Sequence, residues 1–119
     1  MRTTLMGLDL DGRDVLVAGG GPVAARRAAR LVADGAVVTV VSPLACEDLL
    51  DLVDTAAVRW VEREVEEADV EDCWLVVAAT GDRSADERLC GWAADRRVWS
   101  VCAGSASTGT ARTPAVVDH

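Results

Sequence analysis

The sequence predicts an α/β domain, a parallel sheet with helices on both faces, and three observations carry that prediction. Short Val-rich runs alternate with helical stretches along the chain, the order that builds a helix-covered parallel sheet. One run, Cys73-Trp74-Leu75-Val76-Val77-Ala78-Ala79, is continuously apolar, as strands buried on both faces are. Three consecutive glycines, Gly19-Gly20-Gly21, stand between the first run and the first helical stretch.

Taken in order, Leu8–Leu10 reads as an extended entry, Asp11-Gly12 as a turn and Asp14–Ala18 as the first strand. Residues Val23–Asp34 follow as an Ala- and Arg-rich helix. Its apolar positions Val23, Ala24, Ala28, Leu31 and Val32 keep helical spacing, and Gly35 is its stop. Arg26, Arg27 and Arg30 read as a solvated face of that helix. Val37–Val41 is the second strand, ended by Ser42-Pro43, and Leu44–Val53 a second helix. Ala57–Val61 is a third strand, and Glu62–Asp72 an acidic connection holding at most a short helix. Cys73–Ala79 is the fourth strand and Thr80-Gly81-Asp82 a loop. The pattern Ser84-Ala85-Asp86-Glu87 fits a capping box, so a helix is expected from Ser84 to near Asp95. Val98–Cys102 is the fifth strand, Ala103–Thr113 a loop rich in small residues, and Pro114-Ala115-Val116-Val117 opens another strand.

Composition bounds the function. A length of 119 residues fits one domain, residues 1–119, with a core of its own. Half the residues are apolar, which excludes a disordered acidic tail. Twenty acids against twelve arginines, for a net charge of −8, argue against nucleic acid, which demands a basic stripe. Trp60, Trp74, Trp92 and Trp99 lie in no basic run, so no base-stacking groove is expected. No apolar run approaches the roughly 18 residues of a membrane span, and no signal-peptide pattern opens the chain. No membrane partner and a cytoplasmic location are the expectations. Cys46, Cys73, Cys90 and Cys102 are spaced 27, 17 and 12 residues apart. That spacing fits no zinc site, and buried free thiols are expected in place of metal ligands or disulfides.

The chemistry-bearing motif is Gly19-x-Gly21-x-x-Ala24, between a predicted strand and a predicted helix. In that setting it is the dinucleotide fingerprint of a Rossmann-like fold. Gly19 allows the tight turn, Gly21 keeps no Cβ between backbone and pyrophosphate, and Ala24 lets helix and strand pack closely. Pro22 suits the first helical turn, where its missing N–H has no intrahelical partner, and the helix start then faces the phosphates. The alternative is a ligand-free glycine turn. About 20 residues beyond the glycines, NAD sites carry an acid for the ribose; here Ser42 and Pro43 stand there, with no acid before Glu47. Ser42-Pro43 reads either as a ribose contact or as a strand terminator. With no Arg beside Ser42 in the sequence to meet a 2′-phosphate, NAD is expected over NADP. Thr80 ends the fourth strand, where it either lines the nicotinamide side or serves the loop alone.

These residues resemble the amino-terminal domain of siroheme synthase, the family of precorrin-2 dehydrogenases, many of them also sirohydrochlorin ferrochelatases. The stretches are 14–24, Arg26-Arg27, 33–43, 72–82 and Pro114-Ala115-Val116-Val117-Asp118, in the family's order. The resemblance implies NAD binding at Gly20, Gly21, Pro22 and Val23, at Ser42-Pro43 and near Thr80, and the glycine motif adds Gly19 to these candidates. It also implies oxidation of a tetrapyrrole, precorrin-2, to sirohydrochlorin, with ferrochelation in many members, and a homodimer. The family's catalytic Asp follows the fifth strand, and here Ser100-Val101-Cys102-Ala103 puts Ala103 at that position, so no catalytic residue is assigned. The family's dimerisation and helical regions are expected to be lacking from residues 1–119. Two further readings stand beside a dehydrogenase: a degenerate nucleotide-binding or scaffold domain, and a ligand-free interaction domain.

Overall fold

The computed structural model describes residues 2–104 and 109–111. Its strands are β1 (Asp14–Ala18), β2 (Val37–Val41), β3 (Val58–Val61), β4 (Leu75–Ala78) and β5 (Trp99–Cys102). Its helices are α1 (Pro22–Ala33), α2 (Glu47–Asp54) and α3 (Arg83–Asp95), with a short 3-10 turn at Glu67–Val70 between β3 and β4. The strands form one parallel sheet in the order β3-β2-β1-β4-β5. This is the expected Rossmann-like arrangement. The winding reverses beside β1, whose end is level with both neighbours: Ala18 pairs with Val41 on one side and Ala78 on the other. A crevice opens at such a switch point.

The alternation along β1 and β4 explains their continuous apolar runs. Val15, Val17, Leu75 and Val77 pack with Val38 and Val40 against α1 and against Leu49 of α2. Leu16, Ala18, Val76 and Ala78 face the other way, against Leu89, Cys90 and Ala93 of α3 and against Val70. Helices thus cover both faces, and every residue from Val15 to Ala18 and from Leu75 to Ala78 is buried.

Several boundaries differ from expectation for local reasons. Helix α1 docks through the small-residue stripe Ala24, Ala25, Ala28 and Leu31, while Val23 is 47% exposed. Val23 lies about 100° of helical rotation off that stripe and does not reach the core. Helix α2 starts at Glu47, not Leu44, because the preceding backbone is engaged elsewhere: the Leu44 carbonyl accepts from Ser42 Oγ at 2.7 Å and Cys46 N–H donates to the Gly20 carbonyl at 2.7 Å. Strand β4 starts at Leu75. Trp74 is 56% exposed beneath the Arg13 guanidinium, 4.7 Å from its ring centre. The cap of α3 is Asp82, not Ser84: Asp82 Oδ1 accepts from Ser84 N–H at 2.9 Å and Ala85 N–H at 3.3 Å. Glu87 pairs instead with Arg83. Arg26 and Arg30 are exposed and Arg27 half-buried. All four cysteines are free, but only Cys90 and Cys102 are buried; Cys46 and Cys73 are half-buried. Burial pushes the Cys73 thiol up to about 11 and raises that of Cys90, so neither is a ready nucleophile. The strand expected at Pro114–Val117 lies outside the described residues.

The three helices among the described residues end alike. After α1, Gly35 N–H donates to the Val32 carbonyl and Ala36 N–H to that of Leu31, with Gly35 at φ +87°, a Schellman stop. The same bond pair closes α2 through Ala56 and α3 through Arg97, at φ 58° and 57°. Side chains are strained in that left-handed region. Glycine at either position is expected to raise stability by roughly 0.5–1 kcal/mol after its extra unfolded-state entropy is subtracted, read as a higher urea midpoint with unchanged slope.

The crossover from β3 to β4 is pinned by Arg63, whose guanidinium donates to both Asp69 oxygens, at 2.8 and 2.6 Å. That fork holds the Asp69 carboxyl below its usual range, aided by the Glu66 N–H. A lowered carboxyl contributes stability fully above its unfolded value and loses it as pH falls through the folded one. Asp69→Asn is therefore expected to flatten the acid limb of the stability profile below about pH 4, measured by thermal unfolding against pH.

Candidate functional site

The site lies on the carboxyl edge of the sheet and is built around the glycine loop. Gly19 has φ +132°, and a Cβ there would fall 2.0 Å from the Ala79 carbonyl oxygen. A Cβ on Gly20 would fall 1.6 Å from the Leu44 carbonyl oxygen and 2.7 Å from Ser42 Oγ. Gly21 differs: a Cβ there meets nothing within 4 Å. Two of the three glycines serve chain packing, and the third faces open space.

Gly21 is also the N-cap of α1. No side chain caps this helix, Pro22 occupies its first position, and no acid lies in its first turn. By contrast α2 carries Glu47 and Asp48 in its first turn, and α3 is capped by Asp82 with Asp86 close behind. The start of α1 therefore keeps its free N–H groups and its positive dipole for an anion.

Two recesses meet at Gly21 and Thr80. The larger, about 660 Å³, is lined by Gly19, Gly20, Gly21, Ser42, Pro43 and Thr80, with Leu44, Glu64, Asp82 and Arg88 around it. The smaller, about 280 Å³, runs from Gly21, Pro22 and Val23 past Thr80 to Ala103 and Gly104. All eight residues singled out for a dinucleotide thus line one continuous cleft.

Their individual roles are more specific than their positions. Ser42 is buried; its hydroxyl donates to the Leu44 carbonyl, and its own carbonyl accepts from Trp60 Nε1 at 3.0 Å. Ser42 shapes the floor of the larger recess and has already used its one proton. Thr80 is held by Asp86, a buried carboxylate on α3. Asp86 Oδ1 accepts from Thr80 Oγ1 at 2.7 Å and from Thr80 N–H at 3.1 Å. The reading of residues 84–87 as a capping box hid this role, because both Asp82 and Ser84 are good cap residues. Asp82, the nearest carboxylate on the loop, is the cap. Ala103 donates its N–H to the Ala78 carbonyl at 2.9 Å and presents a methyl group to the smaller recess. Arg88 is the residue that sequence order concealed, since it joins Ser42 only in space. Among the described residues, no cluster of three or more His, Cys, Asp or Glu could hold a metal ion, and no helix is long and apolar enough to cross a membrane.

The sheet order and the crevice at its switch point define a Rossmann-like α/β domain with an anion-receptive edge. Residues 6–115 match the family model described as "Putative NAD(P)-binding". The chain belongs to that family, the amino-terminal NAD(P)-binding domain of siroheme synthases and precorrin-2 dehydrogenases. It is 43% identical over 77 residues to siroheme synthase 1 of Aeromonas salmonicida, 65% of this chain and 16% of that one. It is 26% identical over 110 residues to the precorrin-2 dehydrogenase of Bacillus subtilis, 92% of this chain and 67% of that one. The solved structure of SirC, precorrin-2 dehydrogenase, is similar at a TM-score of 0.78 and 30% identity, covering 97% of this chain and 55% of that chain. The chain thus spans about half of the SirC structure, and its match covers 16% of the siroheme synthase.

The glycine geometry separates folding from binding. Gly20→Ala is expected to lower stability by several kcal/mol, because backbone must move to admit the methyl group. Gly21→Val is expected to cost no more than about 1 kcal/mol, the loss of a good N-cap residue, and to weaken binding of any dinucleotide at least about tenfold by filling the cleft. Urea unfolding and calorimetric titration of both variants measure the contrast.

Proposed function

We propose that this chain is the NAD-binding domain of a precorrin-2 dehydrogenase acting in siroheme biosynthesis. The observation that supports it best is the unacidified, uncapped start of α1 beside the open face of Gly21. Bound there, NAD supplies the hydride acceptor for oxidation of precorrin-2 to sirohydrochlorin. The chain's own residues bind and orient. The backbone N–H groups of Gly21, Val23 and Ala24 would face the pyrophosphate. Pro43, Leu44 and the Ser42 turn line the adenosine side, and Thr80, fixed by Asp86, borders the smaller recess on the nicotinamide side. The four free thiols accord with a reducing cytoplasmic compartment.

Ala103 favours a second reading, a nucleotide-binding domain without turnover. A methyl group can neither exchange a proton nor steer iron, and it lines the recess where the family resemblance places a carboxylate. The two readings part on activity. Saturable NAD binding by calorimetry is expected under both, and its absence at millimolar NAD overturns both. NAD-dependent formation of sirohydrochlorin from precorrin-2 by the parent chain supports the dehydrogenase. Activity that appears only in Ala103→Asp supports the degenerate domain.

A further inference from the structure

Arg88 is the one cation among the described residues that line the larger recess. It makes no hydrogen bond or ion pair with any described residue. On α3 it is exposed and stands at the rim of the recess. Asp82 caps the helix at the carboxyl edge of the sheet, and Ala85 and Arg88, three residues apart on one helical face, both line the recess. Helical side chains lean toward the N-terminus, which here is toward the cleft. Across the recess stands the end of β2. A carboxylate at that position would accept the ribose hydroxyls and repel a phosphate on them. This chain has Ser42 instead, uncharged, with its proton already given to the Leu44 carbonyl at 2.7 Å.

We infer that Arg88 reads the 2′ position of the adenosine ribose, so that the recess admits NADP as well as NAD. The inference rests on the proposed reading that a dinucleotide occupies this cleft. A guanidinium offers a fork of donors matched to phosphate oxygens, and an unpaired one gives up no existing contact to make that pair. Two acids border the same recess. Asp82 has one oxygen engaged in capping α3, and Glu64 is exposed, so that water screens it. The absence of an Arg next to Ser42 in the chain is thus offset by one brought from α3.

The test is calorimetric titration of the 119-residue chain with NAD, NADP, and the half-ligands 5′-AMP and 2′,5′-ADP. The expected result is NADP binding at least as tight as NAD at low ionic strength, with the advantage shrinking as salt rises. Arg88→Gln is expected to weaken NADP and 2′,5′-ADP about tenfold, and several-fold more than it weakens NAD and 5′-AMP. NADP binding more than about tenfold weaker than NAD overturns the inference and leaves the proposed function standing. Equal effects of Arg88→Gln on all four ligands, or no effect on any, also overturn it. If neither dinucleotide binds, the proposed function fails, and this inference with it.

Discussion

The cleft depends on one steric constraint: backbone meets backbone at Gly19 and Gly20 with no room for a side chain. Through Gly19 the end of β1 lies against the end of β4, and through Gly20 it lies against the segment that joins β2 to α2. The contact is then locked by polar bonds, Gly19 N–H to the Val41 carbonyl at 3.1 Å and Cys46 N–H to the Gly20 carbonyl at 2.7 Å. Three strand ends are thereby brought level, and the start of α1 is aimed across them. Pushing either glycine outward would tilt the helix start and open the floor on which Ser42 sits.

The motif pattern therefore hides a division of labour. In G-x-G-x-x-A the middle residue is written as free, yet Gly20 is the most confined of the three glycines here. Gly21, the residue assigned to the ligand, is the least confined. At the uncapped start of α1, a glycine with no neighbour within 4 Å leaves its backbone open to close approach from outside the chain. That is the physical case for a ligand at Gly21, and it comes from the contrast between neighbours, not from the motif.

How far the sequence could be read follows from where each signal is stored. Strands β1 and β2 were legible to the residue because glycine, proline and charged turns bound them on both sides. The parallel, helix-covered sheet was legible because alternating strands and helices allow few other architectures, whereas its strand order is set by how the elements pack. The start of α2 was not legible, since it is set by backbone bonds to a loop far back in the chain, at Gly20. The cap of α3 was ambiguous because Asp82 and Ser84 satisfy the same local rule, and only the turning of Asp86 toward Thr80 decides between them. Of the site, the residues on the edge itself were legible from strand ends and glycines. Those that reach it from α3, Asp86 and Arg88, were not, because their approach depends on how α3 packs on the sheet.

The net charge of −8 looks at first like an obstacle to any polyanionic substrate, but the charge is unevenly placed. Acids crowd the crossover between β3 and β4, where Glu64, Glu66, Glu67, Asp69 and Glu71 lie in or around the 3-10 turn, and Arg63 and Arg96 already pair with several of them. The smaller recess is on the other side of the edge, toward β5. Among the described residues lining it, Asp86 is the one acid, and its carboxylate is bonded to Thr80. Repulsion between exposed charges fades within roughly a Debye length, about 8 Å at physiological salt. A carboxylate-bearing molecule that approaches past Ala103 would therefore be governed by the helix start at Gly21 and by the neutral Ala103-Gly104 after β5, more than by the charge of the chain as a whole.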